Sequence, residues 1–98
     1  DLSREALLKA VHTAVAAYER LVRRYPTSGY CDNALWNAGV LSLDAFRRFG
    51  DERDFTAGVR LLKMLVSEYP SSRLAKQAPA AIAEASLAAS VTPHRWSG

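Results

Sequence analysis

Three residues of this chain have side chains that commonly bind metals or act as nucleophiles: His12, Cys31 and His94. A zinc site needs three or four histidine, cysteine or carboxylate ligands close together. These residues form no pair three or four positions apart, the spacing that places two ligands on one face of a helix. The sequence therefore predicts neither a metal site nor a cofactor.

A nucleophilic role for Cys31 would require a neighbouring general base. His12 is the only reasonable base, and nothing in the sequence indicates that the two side chains meet. A small buried residue at the start of a helix is the better interpretation of Cys31. The five glycines are scattered, so the chain has no glycine-rich phosphate-binding loop. We predict no catalytic residue, and we do not expect this domain to be an enzyme.

The composition is that of one small globular domain with a mildly basic surface. The formal net charge is +3 over 98 residues. Basic and acidic residues alternate, as they do between Arg47 and Asp54, whereas a nucleic-acid-binding protein usually gathers its positive charge on one face. No apolar run approaches the ~18–20 residues that a membrane-spanning helix needs. We therefore expect no nucleic-acid partner and no membrane span.

One short motif occurs twice and organises the rest of the chain. Tyr25-Pro26-Thr27-Ser28 returns as Tyr69-Pro70-Ser71-Ser72, 44 residues later. Each copy follows a segment whose apolar residues recur every three or four positions, which is typical of an amphipathic helix. Proline ends a helix and serine can cap the next one. The pattern predicts two copies of one helical hairpin.

The predicted fold is all-α, with four main helices in two tandem antiparallel hairpins. The first two predicted helices cover residues 3–24 and about 29–49. The third begins at its cap, either Asp51 or Asp54, and ends at Tyr69, and the fourth covers about 72–89. The predicted domain is 1–89, divided into hairpins 3–50 and 51–89 and followed by a flexible tail or linker, 90–98. Pro79 is expected to kink the fourth helix or to delay its start to about Ala78.

Several positions of the predicted hairpins have an expected environment. The second helix is apolar on two sides, the second line being Trp36, Val40 and Leu43, so it should lie between neighbouring helices. Gly39 should allow one neighbour to approach closely, and Gly50 should end the second helix. Among the aromatic residues, Tyr18, Tyr25 and Tyr69 are expected in the core and Tyr30 on the surface.

The motif and the small residues around it resemble tetratricopeptide repeats over residues 14–86. The resemblance rests on Tyr25-Pro26-x-Ser28, Ala34, Leu35, Gly39, Gly50-Asp51, Ala57 and Tyr69-Pro70-x-Ser72. It implies a TPR-like α-solenoid that binds other proteins. The spacing of 44 residues exceeds the usual 34, and the period alone would also suit a HEAT-like hairpin.

The segment from Tyr25 to Gly39, together with Phe46–Asp51, resembles the N-terminal repeat region of bacterial N-acetylmuramoyl-L-alanine amidases. In those proteins a separate zinc-dependent domain cleaves peptidoglycan. The alternative relatives are the outer-membrane-assembly lipoprotein and the periplasmic coordinator of the Tol–Pal system. The resemblance implies a periplasmic or cell-envelope location. The chain begins at Asp1 without methionine, so we expect a piece of a longer protein, in which the lack of a signal peptide says nothing about export.

The resemblance places a partner-binding groove on the first helix of each hairpin. The polar residues there that fall outside the apolar stripes are His12, Glu19, Arg20, Arg23, Arg60 and Lys63. This surface is predominantly positive, which favours an acidic peptide, a C-terminal carboxylate or an anionic wall polymer. The alternative is that these charges only keep the surface soluble. Self-association through the first or the fourth helix also remains open.

Overall fold

The computed structural model describes residues 2–91, and these residues form four α-helices and no β-strand. The helices are α1 (Leu2–Arg24), α2 (Cys31–Phe49), α3 (Glu52–Glu68) and α4 (Arg73–Val91). The fold is all-α, with two tandem antiparallel hairpins, α1/α2 and α3/α4, as the sequence predicted. Residues 90 and 91 of the predicted tail are still helical. Residues 92–98, which include His94 and Trp96, lie outside the described residues.

Helix α2 lies at the centre of the fold and packs against α1, α3 and α4. This confirms the predicted position between neighbouring helices. Leu35 is fully enclosed, and Cys31 is completely buried in the first turn of α2, as expected of a small residue there. From α3 the core receives Leu61 and Leu65, whose side chains are also completely buried. The largest buried aliphatic side chains of the core thus meet where α2 packs on α3.

Two glycines allow α2 and α3 to cross closely. A Cβ atom at Gly39 would lie 2.7 Å from Leu62 Cγ, and a Cβ atom at Gly58 would lie 2.6 Å from Leu43 Cγ. Each leucine therefore fills the space left by the missing side chain on the opposite helix. The close approach at Gly39 was predicted, whereas its counterpart at Gly58 was not.

The helix ends between the hairpins follow standard capping chemistry. Gly50 adopts a left-handed conformation, with φ of 78°, and its N–H donates to the Phe46 carbonyl at 2.8 Å. Asp51 is the N-cap of α3, because its Oδ1 accepts from the backbone N–H of Arg53 at 2.9 Å. Of the two predicted caps of α3, Asp51 rather than Asp54 is therefore correct.

The start of α2 differs from the prediction, whereas α4 begins at Arg73, close to the predicted residue 72. Helix α2 begins at Cys31 instead of about Gly29, and its N-cap, Tyr30, makes no side-chain capping bond. Ser28 Oγ accepts only from the N–H of Tyr30, at 3.2 Å, which forms a local turn before the helix. Helix α4 is continuous through Pro79, so the predicted delay of its start to about Ala78 is wrong. Pro79 has no backbone N–H to donate to the carbonyl of Ala75, so α4 lacks that one helical hydrogen bond.

The two copies of the repeated motif lie side by side at one end of the fold. We call Tyr25–Ser28 turn 1 and Tyr69–Ser72 turn 2. The hydroxyl of Tyr69 donates to the Pro26 carbonyl at 2.7 Å, and Ser72 Oγ donates to Asp32 Oδ2 at 2.7 Å. Tyr25 is 53% exposed, so its predicted place in the core is wrong, whereas Tyr30 is exposed as predicted, at 72%. Turn 2 thus holds the second hairpin against turn 1.

Candidate functional site

The six residues that the sequence suggested for partner binding lie on α1 and α3. The two helices do not pack directly: over residues 2–91, no Cα atom of α1 lies within 8 Å of a Cα atom of α3. Both pack instead on α2. Polar side chains cross the space between α1 and α3, and we call this surface the α1/α3 face.

The first crossing joins His12 of α1 to Asp54 of α3. His12 Nε2 lies 2.8 Å from Asp54 Oδ1, although 42 residues separate the two in sequence. The Asp54 side chain is 8% exposed and that of His12 is 52% exposed. Asp54 lies in the first turn of α3, where the positive end of the helix dipole stabilises a carboxylate. Asp54 Oδ2 is buried without a hydrogen-bond partner among residues 2–91, so within this range His12 makes the one side-chain hydrogen bond of this carboxylate.

The second crossing is an ion pair between Glu19 and Arg60. Arg60 Nη2 lies 3.0 Å from Glu19 Oε2, and the side chains are 51% and 23% exposed, respectively. Glu19 follows His12 by two helical turns, which is about 10 Å along α1. The two crossings therefore fix α3 against α1 at two levels. Because Glu19 neutralises Arg60, this pair adds no net charge to the α1/α3 face.

The remaining three predicted residues are exposed cations with no hydrogen-bond or ion-pair partner among the described residues. Arg23 follows Glu19 by four positions and therefore lies on the same side of α1. Lys63 follows Arg60 by three positions on α3. Arg20 is turned away from these two and lines a shallow hollow with Arg24 and Tyr25. The structure thus brings Arg23 and Lys63 to the α1/α3 face and leaves Arg20 at its edge.

A second charged group flanks the first crossing at the start of α3. Arg53 donates from Nε and Nη2 to the two carboxylate oxygens of Asp51, at 3.1 and 2.8 Å. The pKa of Asp51 is lowered to about 2. This bidentate contact is the largest cause, and the hydrogen bond from the backbone N–H of Arg53 is the next. Asp51 therefore stays ionised at physiological pH and keeps its role as the cap of α3.

The described residues contain no arrangement that suggests catalysis. No group of three or more histidine, cysteine or carboxylate side chains could hold a metal ion within residues 2–91. Cys31 is completely buried, and its Sγ donates to the Tyr25 carbonyl at 3.0 Å. His12 bonds to Asp54 instead of approaching this thiol. The polar groups of this part of the chain can bind and orient a partner, and no nucleophile is presented to solvent beside a base.

Sequence reasoning missed a second surface feature, an open groove of about 560 Å³ between α2 and α4, which we call the α2/α4 groove. Its apolar lining includes Trp36, Val40, Ala80 and Ala81. Val40 had been assigned to a second buried line of α2, but it is 37% exposed, whereas Leu43 in the same line is buried. The alanines of α4 leave this groove open because they are too short to cover Val40.

Asp54 was also missed as a contact of α1. The sequence identified it only as a possible cap of α3 and as an acidic residue at a helix start. No local pattern links it to His12, because the contact depends on how the two hairpins pack.

Comparisons with known proteins agree with the fold. Residues 2–28, which cover α1 and turn 1, match the family model of the tetratricopeptide repeat. No curated protein matches the chain, and no solved structure matches it. The match covers the first helix and turn 1, and the two-hairpin architecture agrees with it: the molecule has a TPR-like, all-α helical-repeat fold. Tetratricopeptide repeats are typically non-catalytic protein-interaction modules.

None of the helices within residues 2–91 combines the length and the apolar character needed to cross a membrane.

Proposed function

We propose that this domain binds an acidic protein segment or a C-terminal carboxylate on the α1/α3 face. The observation that carries the proposal is the pair of exposed cations, Arg23 and Lys63, which have no hydrogen-bond or ion-pair partner within residues 2–91 and lie on the two helices that form this face. Their guanidinium and ammonium groups can donate to carboxylates without first breaking an internal ion pair. Glu19 and Arg60 satisfy each other and so help to hold the face in shape.

The crossing at His12 and Asp54 supports a preformed face. A binding surface that is already ordered avoids the entropy cost of ordering on binding. Both crossings join side chains of different hairpins, so the spacing between α1 and α3 is set before a partner arrives. The ligand then needs to contact only the two cations of the face, Arg23 and Lys63.

For the biological context we propose a secreted bacterial cell-wall protein, in which this domain is the N-terminal, non-catalytic module of an N-acetylmuramoyl-L-alanine amidase. The support is the resemblance of the segment from Tyr25 to Gly39 and of Phe46–Asp51 to the repeat region of such amidases. Periplasmic or cell-envelope localisation, and contact with peptidoglycan through the longer protein, follow from this proposal. The alternative context is a scaffold that resembles the outer-membrane-assembly lipoprotein or the Tol–Pal coordinator.

A peptide titration tests the binding proposal. A fluorescent peptide of glutamates that ends in a free carboxylate is titrated with the chain, beside its amidated form and a neutral glycine-serine peptide. We expect the acidic peptide to bind and the neutral peptide not to. The double variant R23E/K63E should weaken binding about tenfold or more, which is about 1.4 kcal/mol. The control R47E/R48E makes the same four-unit charge change on α2 and should stay within about twofold of the parent chain.

Equal losses in R23E/K63E and R47E/R48E would mean that only the overall charge matters, and the α1/α3 face would then not be the site. Absence of binding by the parent chain would refute the proposal. The context is tested separately by determining the reading frame on both sides of residues 1–98. A downstream domain with zinc-ligand spacing supports the amidase, whereas a lipoprotein signal with further repeats and no such domain supports the scaffold.

A further inference from the structure

The α2/α4 groove lies on helices that run in the same direction. Helices α2 and α4 are separated by α3 in the chain, and each helix is antiparallel to the one before it. The hydrogen bond from Ser72, just before α4, to Asp32, in the first turn of α2, places the two helix starts side by side. The groove therefore has one end near the helix starts and another end two to three turns further along both helices.

The charges of the groove differ between its two ends. Lys76 lines it near the start of α4, and Glu84 lines it two turns later, with Ala80 midway between them. Neither Lys76 nor Glu84 has a hydrogen-bond or ion-pair partner within residues 2–91. On α2 the far end adds Asp44 and Arg47, and Asp44 lies 3.8 Å from Arg48. The start of the groove is thus positive, and its far end has two carboxylates around one guanidinium.

This arrangement complements itself under a two-fold rotation. A two-fold axis through the middle of the groove, near Ala80, turns α4 antiparallel to its copy. In an isologous contact, residue i meets residue j and residue j meets residue i. Lys76 of each molecule then meets Glu84 of the other, so that two opposite-charge contacts form at once. If the two α4 helices were parallel and in register, Lys76 would instead meet Lys76 and Glu84 would meet Glu84.

We propose that the α2/α4 groove is a self-association surface, in which a second copy of this chain lays its α4 antiparallel into the groove. The alanines at positions 80 and 81 let the two α4 helices approach closely, and the second copy covers Trp36 and Val40. Lys76 and Glu84 set the antiparallel direction. The groove lies on α2 and α4, whereas the α1/α3 face belongs to the other two helices, so the dimer leaves that face free.

The expected dimer is weak and concentration-dependent. Interfaces that bury less than about 1,200 Å² in total are typical of transient contacts, and a groove a few turns long belongs to that class. A weak contact is sensitive to charge, because reversing one charge per chain places two like-charge pairs in the interface. This property makes the proposal testable by charge exchange.

The experiment measures the mass of the full 98-residue chain by sedimentation over a wide concentration range, in the presence of a reductant. The parent chain should form dimers as the concentration rises. K76E alone and E84K alone should each weaken dimerisation about tenfold or more, the scale of one to two lost charge contacts. An equimolar mixture of K76E and E84K should dimerise again, because every contact in the mixed dimer joins opposite charges. The double variant K76E/E84K should likewise recover.

Two further variants place the contact in the groove. V40E introduces a charge into the apolar lining and should abolish dimerisation, whereas K63E, on the α1/α3 face, should leave it unchanged. Far-ultraviolet circular dichroism confirms that each variant is folded. A parent chain that remains monomeric at every concentration overturns the proposal. So does a dimer that neither K76E nor E84K weakens, or a mixture that fails to recover.

Discussion

Turn 1 and turn 2 share the pattern Tyr-Pro-x-Ser but differ in what surrounds them. In turn 1, Tyr25 is 53% exposed, and its ring lies 5.9 Å from the guanidinium carbon of Arg24. In turn 2, the ring of Tyr69 packs against the core, and its hydroxyl donates to the Pro26 carbonyl. One tyrosine stays at the surface, while its copy joins the two hairpins.

The serines of the two turns differ in the same way. Ser72 Oγ accepts from the N–H of Leu74, at 3.1 Å, at the start of α4, and it donates to Asp32 of the first hairpin. Within residues 2–91, the hydroxyl of Ser28 bonds only to the N–H of Tyr30, before its helix begins. A repeat motif therefore stabilises the fold only where a preceding repeat supplies its partner. Turn 1 has the same donors but no earlier hairpin to contact within residues 2–91.

The largest expected effect separates the two tyrosines. Y69A removes packing against the core and the bond to Pro26, and it should lower the free energy of unfolding by about 2–3 kcal/mol. Y25A should cost less than about 1 kcal/mol, because Tyr25 is mostly exposed. Chemical denaturation followed by circular dichroism measures both values. Equal losses would mean that the two turns contribute alike.

The next effect compares Gly58, where α3 crosses α2, with Gly29, which lies in the loop between turn 1 and α2. G58A places a Cβ atom against Leu43 and the Gly39 carbonyl, and the overpacking should cost about 1–3 kcal/mol even after the gain in helix propensity. The matched control G29A meets no atom within 4 Å and should stay within about 0.5 kcal/mol of the parent chain. Thermal unfolding distinguishes the two. A neutral G58A would show that α2 and α3 do not cross as closely as described.

A smaller effect compares the two serines. S72A removes a capping bond and the contact with Asp32, and it should cost about 1–2 kcal/mol. S28A should cost less than about 0.5 kcal/mol, because it removes one exposed local bond. If turn 2 acts through the first hairpin, the losses of S72A and D32A should not add, since both variants break the same contact. Fully additive losses would contradict that coupling.

The smallest effect is a dependence of stability on alkaline pH. The pKa of Tyr69 is raised from 10.0 to about 12. The largest cause is the Cys31 sulfur beside the Tyr69 hydroxyl, and the next is burial. Because the folded-state pKa is raised, the stability contributed by Tyr69 is complete below pH 10 and is lost as the pH rises through about 12. The difference between the phenolate absorbance titrations of the parent chain and Y69F should show this late transition.

The variant C31A should move the Tyr69 transition toward lower pH, because it removes the largest cause of the shift. A Tyr69 transition at pH 10 in the difference between the parent chain and Y69F would contradict the contact between turn 2 and the first hairpin.

Some of this architecture was predictable because it depends on local signals. The proline of each turn, the glycine at position 50 and the apolar periodicity act within a few residues, so they define the helix boundaries to within two residues at most ends. The start of α4 near residue 72 was also predictable, whereas the alternative of a later start was wrong, because Pro79 signals a break that the structure does not make. A proline in an exposed turn of a packed helix is tolerated when tertiary contacts outweigh its local cost.

The candidate site was predictable only in part. The positions of Arg23 and Lys63 on the first helix of each hairpin follow from the repeat pattern. The pairing of Glu19 with Arg60 does not follow from that pattern, because it depends on how the two hairpins pack. It neutralises a cation that the sequence prediction counted as free. The α2/α4 groove was missed, because a line of apolar residues on α2 indicates burial without showing whether a neighbour is large enough to provide it.

The sequence by itself determined four helices, their pairing into two hairpins and the repeat of Tyr-Pro-x-Ser, because backbone preferences and hydrophobic periodicity act over short distances. Only the tertiary structure decided which tyrosine is exposed, which carboxylate His12 contacts and where the surface of α2 remains open. These features depend on residues about 40 positions apart, and the packing of α2 on α3 brings those residues together.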